Sequence, residues 1–199
     1  MDLELLTQQV MKRLFVPLEA SGRHVHVTKE QALALFGHPL THKRDLSQPG
    51  QYLANERLTV IGPKGQFENV AVLGPERSAG QVEISLTDCR VLGVNPPVRP
   101  SGKVEDSPGI TLTGPMGSVE LKQGVIIAQR HIHVHPDDAP LLGVEDKQLV
   151  KLKTYTARPV VFEELLVRVH PEFRTSVHLD YDEANACGFQ SGDLGRILS

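Results

Sequence analysis

The stretch Arg23-His24-Val25-His26-Val27 decides the fold, because it returns later in the chain as Arg130-His131-Ile132-His133-Val134. Each copy runs into a predicted helix start, which is Thr28-Lys29-Glu30-Gln31 after the first copy and Pro136-Asp137-Asp138 after the second. An internal repeat of this kind indicates that one chain contains two related structural units.

The repeat continues downstream with the same internal spacing. The first copy has Val82-Glu83-Ile84, Thr87-Asp88 and Gly93, and the second has Val177-His178-Leu179, Asp182-Glu183 and Gly188. Glu83 therefore takes the place that His178 has in the second copy. Each copy offers two histidines and one further side chain that can bind a metal.

Short apolar runs, interrupted by Gly, Pro and Asn, make up most of the remaining chain and are typical of strands joined by turns. The clearest runs are residues 58–61, 70–73, 82–86, 125–128, 149–152 and 165–169. We therefore expect a mostly β fold with short α-helices, in which two related closed β-barrels face one another across a site.

Three segments are predicted along the chain: an amphipathic helix and linker at 1–20, a first β-barrel repeat at 21–128 and a second at 129–199. The helix is predicted over residues 1–15 from apolar residues at helical spacing, which are Leu3, Leu6, Val10 and Leu14. The Pro- and Gly-rich segment 96–117 is the predicted connection between the barrels.

Composition excludes several classes of function. The net charge of −3, with scattered Lys and Arg, lacks the basic stripe of a nucleic-acid-binding protein. No apolar run approaches the roughly 20 residues that span a bilayer, and acids stand where a signal peptide has basic residues, so we expect a cytoplasmic protein without a membrane partner. Cys89 and Cys187 form no C-x-x-C pair, which leaves nine histidines as the main supply of metal ligands.

The two H-x-H motifs predict metal sites. Alternate residues of a strand face the same side, so both imidazoles of each motif can converge on one ion. Three protein ligands leave open coordination positions, as catalytic sites do, and imidazole with carboxylate suits Zn²⁺ best, with Co²⁺, Mn²⁺ or Fe²⁺ also accepted. The predicted ligand sets are His24, His26 and Glu83, and His131, His133 and His178.

Other histidines and arginines receive different interpretations. His135 begins the turn at Pro136 and is predicted to cap or support the site, whereas His38, His42 and His170 are predicted to be structural. Arg77 lies in a turn before the Glu83 strand and could form two hydrogen bonds to an oxyanion such as phosphate. The alternative for Arg77 is a surface residue. Arg23 and Arg130 must face away from the histidines, in a structural or supporting role.

Several blocks in the same order closely resemble the PduL-type phosphate propanoyltransferases, the phosphotransacylases of bacterial microcompartments. The blocks are G-R-H-V-H-V-T at 22–28, Q-P-G-Q-Y at 48–52, G-P-K-G at 62–65, G-P-E-R-S at 74–78, Q-V-E-I-S-L-T-D at 81–88, G-V-I-I-A-Q-R-H-I-H at 124–133 and D-E-A-N-A at 182–186. They cover nearly the whole chain.

The resemblance implies two closed β-barrels with a dinuclear zinc site at their interface, one zinc on each predicted ligand set. It implies reversible transfer of an acyl group from propanoyl-CoA or acetyl-CoA to phosphate, with Arg77 contacting phosphate and Ser21 and Asn185 lining the CoA site. The first fifteen residues resemble a segment that packages such enzymes into microcompartment shells, although an ordinary helix packed on a barrel is the alternative. We also expect a homo-oligomer, a dimer.

Two alternative functions remain open at this stage. A dinuclear metallohydrolase of esters or phosphoesters could use the same ligands with a metal-bound hydroxide. A non-enzymatic, metal-stabilised barrel or shell-associated scaffold would instead have closed metal sites and no anion-binding arginine beside them.

Overall fold

A computed structural model describes residues 3–198 of the chain. Within that range the α-helices are α1 (Leu3–Leu14), α2 (Lys29–Phe36), α3 (Leu86–Leu92), α4 (Ala139–Leu142) and α5 (Tyr181–Cys187). The strands are β1 (Val16–Ser21), β2 (His24–His26), β3 (His42–Asp45), β4 (Tyr52–Ile61), β5 (Gln66–Gly74), β6 (Gln81–Glu83), β7 (Val98–Arg99), β8 (Ile110–Thr113), β9 (Ser118–Leu121), β10 (Val125–Ala128), β11 (His131–Val134), β12 (Leu149–Tyr155), β13 (Val161–Val169), β14 (Ser176–Asp180) and β15 (Leu194–Leu198).

These elements form two compact units, each with its own apolar core. One unit combines the segment up to Ser21 with the segment from Arg130 onward, and the other runs from Gly22 to Gln129. The predicted mostly β class with short helices and barrel architecture is confirmed. None of the described helices is long and apolar enough to cross a membrane.

The unit that contains the second H-x-H motif is a closed barrel of six strands in the order β1-β14-β11-β13-β12-β15. Antiparallel pairing of β1 with β15 closes it. Its interior is filled by alternate, inward-facing residues, as the strict alternation of buried and exposed positions along β12 shows. Ile132 and Val134 of the second H-x-H strand belong to this core, and both are fully buried.

The unit that contains the first H-x-H motif has a nine-stranded sheet in the order β7-β10-β6-β2-β5-β4-β8-β9, with β3 paired to β4. Among the described strands this sheet stays open, whereas the sequence predicts a closed barrel for the first repeat. The segment 96–117, predicted as a connection, contains β7 and β8 and so belongs to the sheet. Val25 of the first H-x-H strand and Val27, directly after it, are fully buried in the core of this unit.

The two units share one strand arrangement: the strand that precedes each H-x-H strand in sequence pairs with the strand that carries the third ligand of the other ligand set. β1 precedes the H-x-H strand β2 in sequence but pairs in parallel with β14, and β10 precedes β11 but pairs in parallel with β6. Residues 16–20, which the sequence places in a linker, are therefore part of the closed barrel. Val16 and Leu18 are 1% and 3% exposed there.

Capping explains why helices start directly after the strands of the site. Thr28 caps α2, Ser85 caps α3 and Asp180 caps α5, each in a reciprocal capping box with the residue three positions later. The predicted helix start at Thr28 is thus confirmed. After the second H-x-H strand the helix α4 begins at Ala139, immediately beyond the predicted start.

The predicted amphipathic helix at the N-terminus is present as α1. Of its predicted apolar stripe, Val10 and Leu14 are 45% and 38% exposed, while the side chains of Leu3 and Leu6 lie outside the described part of the structure. Val10 and Leu14 are thus only partly covered by the rest of their unit.

Two truncations should therefore differ sharply in stability. A chain that begins at Phe15 lacks α1 but keeps β1, and we expect it to melt within a few degrees of the full chain. A chain that begins at Gly22 also lacks the buried Val16 and Leu18, at about 1.5–3 kcal/mol each, and leaves β14 and β15 without their shared neighbour. Thermal melts followed by circular dichroism should show no cooperative barrel unfolding for it, and a melt like that of the full chain would contradict this assignment of β1.

Candidate metal centres

The first candidate centre lies where β2 and β6 run antiparallel. This pairing sets His24 directly opposite Glu83, and His26 faces the same side as His24 because one residue separates them. The ligand atoms of His24, His26 and Glu83 all lie within 4.8 Å of one another. The His24 Nε2 atom is 3.6 Å from Glu83 Oε2. We call these three residues the first triad.

Backbone carbonyls orient both histidines of the first triad. His24 Nδ1 is 2.8 Å from the Gly22 carbonyl oxygen, and His26 Nδ1 is 3.2 Å from the Leu73 carbonyl oxygen. Because a carbonyl only accepts hydrogen bonds, Nδ1 carries a proton in each ring, which leaves Nε2 as the nitrogen that can bind a metal. This arrangement, in which the second ring nitrogen donates to the protein, is typical of metal-binding histidines.

Glu83 and the two histidines of the first triad shift one another's pKa values. Burial alone would raise the pKa of Glu83, but His24 and His26 outweigh it and hold the pKa well below its usual range, so the carboxylate is ionised. Burial, His24 and Arg77 lower the pKa of His26, which keeps this ring neutral. Burial lowers the pKa of His24 as well, but Glu83 reverses this effect and the net pKa is raised.

The second candidate centre repeats this geometry in the closed barrel. His131 and His133 lie on β11, and the antiparallel register sets His131 opposite His178 of β14. The three ligand atoms again lie within 4.8 Å of one another. The ring centroid of His178 is 5.2 Å from that of His131 and 4.7 Å from that of His133. We call these residues the second triad.

His133 carries an unsatisfied nitrogen that fits a metal site. Its Nδ1 atom is buried and has no hydrogen-bond partner, which is rare for a buried polar atom. Burial, together with His131 and His178, lowers the pKa of His133 to about 2, so the ring is neutral and can offer a lone pair. Three convergent imidazoles, of which His133 is neutral and has an unsatisfied nitrogen, fit a divalent ion such as Zn²⁺.

Two ion pairs support the H-x-H strands from the opposite face, as the sequence predicts for Arg23 and Arg130. Arg23 donates to both carboxylate oxygens of Asp88, at 2.6 and 3.1 Å. Arg130 donates to Glu183 at 2.8 Å. Asp88 and Glu183 hold the same position in the capping boxes of α3 and α5, so each arginine joins its H-x-H strand to the helix after the third triad residue.

Arg77 lies close to the first triad, where the sequence places it. It follows the cis peptide bond between Gly74 and Pro75, and its backbone N–H donates to the Val27 carbonyl oxygen at 2.9 Å. Its positive charge lowers the pKa of both His24 and His26. A half-buried guanidinium in this position can bind an anion, and the phosphate contact of Arg77 stays a prediction.

The other predicted site residues lie outside the two triads. Ser21 ends β1 and pairs with Asp180, and Asn185 is exposed on α5, so both belong to the unit of the second triad; their contact with CoA stays a prediction. His135 Nδ1 accepts a hydrogen bond from the Asp137 backbone at 3.2 Å, which fits the predicted capping role. The remaining histidines are exposed and contact local partners: His38, His42 and His170.

Sequence reasoning missed two residues that contact Glu83. Gln81 Nε2 donates to Glu83 Oε1 at 2.6 Å, and Ser101 Oγ donates to the same oxygen at 2.6 Å. Gln81 could have been found, because it lies two residues before Glu83 on one strand and must face the same side. Ser101 could not, because it comes from a turn eighteen positions away.

These features define a class: a mostly β protein with two convergent three-ligand sets suited to divalent metals, in which every ligand is buried except the half-buried His178. The sequence profile of the phosphate propanoyltransferases matches residues 17–190. Proteins named phosphate propanoyltransferase are similar over most of their length. The protein of Enterococcus faecalis is 50% identical (97% of this chain, 95% of the relative), that of Leptotrichia buccalis 56% (90% and 86%) and that of Thermotoga maritima 48% (96% and 92%).

The chain therefore belongs to the phosphate propanoyltransferase family, a family of acyltransferase enzymes. The family predicted from the sequence blocks is confirmed.

The Arg130–Glu183 pair generates a prediction about pH. Burial and the nearby Asp180 raise the pKa of Glu183 from 4.5 to about 7, despite the opposing effect of Arg130. Because the pKa is higher in the folded state than in the unfolded chain, this group contributes stability fully below about pH 4.5 and loses that contribution as pH rises through about 7. Glu183→Gln imitates the protonated form, so its melting temperature should fall less between pH 5 and pH 8.

Thermal melts at both pH values, under identical metal conditions, test this prediction. Glu145→Gln, at an exposed position, is the matched control and should follow the unmodified protein. An equal loss of melting temperature in Glu183→Gln and the unmodified protein would contradict the raised pKa.

Proposed function

We propose that this protein interconverts acyl-CoA plus phosphate and acyl phosphate plus CoA, with propanoyl-CoA or acetyl-CoA as the acyl donor and two zinc ions per chain. The observation that carries the proposal is that each repeat brings three potential ligands together, all of them buried except the half-buried His178. The family membership adds the reaction class. This keeps the dinuclear zinc site that the sequence resemblance implies, with one ion held by each triad.

The donor chemistry of the triads supports zinc as the ion. The first triad offers two imidazoles and an ionised carboxylate, and the second offers three imidazoles, which are donor types that suit Zn²⁺ and also accept Co²⁺. When bound, zinc would act as a Lewis acid that offsets developing negative charge and has affinity for thiolate sulfur. Three protein ligands per ion leave room for substrate atoms.

In the proposed reaction, Arg77 binds and orients phosphate beside the first triad through a planar, permanently charged guanidinium. A phosphate oxygen attacks the thioester carbonyl carbon, a carbon–oxygen bond forms, and the carbon–sulfur bond breaks to release CoA as a thiolate. Holding phosphate and thioester in reacting geometry removes much of the entropic cost of bringing them together. Acyl phosphate is the other product.

Direct transfer to phosphate, without an acyl-enzyme, is supported by the environment of both cysteines. Cys89 and Cys187 are buried; the Cys89 thiol donates to the carbonyl oxygen of Ser85, the N-cap residue of α3, and the Cys187 thiol donates to that of Ala184 in α5. Burial also raises the pKa of the Cys187 thiol. A buried thiol with a raised pKa is a poor nucleophile.

The cellular setting in the proposal is the bacterial cytoplasm or the lumen of a microcompartment, with a shell protein as partner of residues 1–15. The exposed Val10 and Leu14 on α1 support such a partner. We also propose a homodimer. Propanoyl and acetyl groups differ by one methylene, worth about 1 kcal/mol or somewhat more in an apolar pocket, so both substrates fit the proposal.

Metal analysis tests the two-ion proposal. The purified protein should hold about two divalent ions per chain, since each triad offers ligands for one ion. The paired replacement His131→Ala and His133→Ala should remove about one of them and leave the first triad occupied. The pair His38→Ala and His170→Ala, at exposed positions, is the matched control and should retain both ions. Finding no metal in folded, active protein would exclude the proposal.

An assay of free CoA released from propanoyl-CoA tests the reaction and the role of Arg77. Release should depend on added phosphate, and acyl phosphate should accumulate in equal amount. Arg77→Lys should raise the KM for phosphate or lower kcat by at least about tenfold, because lysine cannot form two parallel hydrogen bonds to the anion. CoA release without phosphate would instead favour the metallohydrolase, and unchanged phosphate kinetics would make Arg77 a structural residue.

A further inference from the structure

The carboxylate of Glu83 has two oxygens in different surroundings. Oε2 faces the first triad and lies 3.6 Å from His24 Nε2. Oε1 accepts two short hydrogen bonds, from Gln81 Nε2 and from Ser101 Oγ, each at 2.6 Å. A carboxylate can bind a metal through one oxygen or both, so a protein that saturates one oxygen restricts it to the other.

The two donors are themselves fixed in place. Gln81 Nε2 also donates to Ser101 Oγ at 3.0 Å, and the Gly102 backbone N–H donates to Gln81 Oε1 at 2.8 Å. Gln81 is only 2% exposed and lies opposite His26 in the register of β2 and β6. The polar groups of Gln81, Ser101 and Glu83 thus form a closed network in which each donor has an acceptor, and such networks fix side-chain orientation.

We propose that Gln81 and Ser101 are positioning residues that hold Glu83 as a one-oxygen metal ligand, with Oε1 bound by the protein and Oε2 presented to the ion. The inference rests on the proposed function, since it assumes that the first triad binds zinc. Ser101 lies in the segment between β7 and β8, so this segment supports metal binding as well as connecting strands. Loss of an orienting partner of this kind typically weakens metal affinity by about 10–100-fold.

The test uses the full-length chain with the second triad removed by His131→Ala and His133→Ala, so that one zinc site is measured. Competition with a chromophoric chelator gives the zinc dissociation constant, and the visible spectrum of the Co²⁺-loaded protein reports coordination. Ser101→Ala should bind zinc about 10–100-fold more weakly and alter the Co²⁺ spectrum. Ser101→Thr, which keeps the hydroxyl, should restore both.

Ser107→Ala is the matched control because Ser107 lies in the same connecting segment without touching Glu83. Its hydroxyl donates to the Val104 carbonyl oxygen and accepts from the Gly124 backbone at 2.9 Å, so its loss should lower the melting temperature but leave zinc affinity unchanged.

Gln81→Met removes the amide donor at similar volume. The double variant with Ser101→Ala should weaken zinc binding less than the product of the single effects, because both donors act on one oxygen.

The possible outcomes distinguish a failure of the positioning role of Gln81 and Ser101 from a failure of the proposed function. Zinc binding by the parent and equally tight binding by Ser101→Ala would overturn the positioning role and leave the proposed function intact. A loss in Ser107→Ala as large as that in Ser101→Ala would also overturn it, because loop order alone would then explain the effect. A parent that binds no zinc at the first triad would overturn both.

Discussion

Both candidate centres depend on one constraint, the antiparallel pairing of the H-x-H strand with the strand that carries the third ligand. β2 pairs with β6 and β11 pairs with β14, so His24 lies opposite Glu83 and His131 lies opposite His178. A register shift of one residue would turn every second side chain to the other face and separate the ligands. The apolar residues between the histidines prevent this shift because they are fully buried in the cores.

The same alternation explains why so much of the site could be predicted from sequence. An H-x-H motif on a strand requires its two imidazoles to share a face, and the spacing of the repeat places Glu83 and His178 at equivalent positions. A helix start could be predicted from the sequence because a capping residue interacts with the backbone only a few positions away, as Thr28 does. The mostly β class followed from short apolar runs with turn residues between them.

Long-range pairing, in contrast, could not be read from the sequence. β1 and β10 each pair with the strand that carries the third ligand of the other ligand set, an arrangement that we call the strand exchange. It leaves no local signal in the sequence, because a strand has the same alternating pattern whichever sheet it joins. Residues 16–20 therefore looked like a linker. The contact of Ser101 with Glu83 was hidden for a similar reason, since a turn serine is ordinary until the chain folds it against a carboxylate.

The strand exchange also gives the two triads different electrostatic surroundings. In the open sheet, β10 places the apolar Ile126 beside Glu83, whose own carboxylate supplies the negative charge of the first triad. In the closed barrel, β1 places Glu19 beside His178, and a Glu19 carboxylate oxygen lies 3.4 Å from His178 Nε2. The second triad has only neutral donors, and a divalent cation among them would retain its full charge unless a nearby anion offset it. The repeat whose third ligand is His178 therefore has a carboxylate, that of Glu19, at the edge of its triad instead of within it.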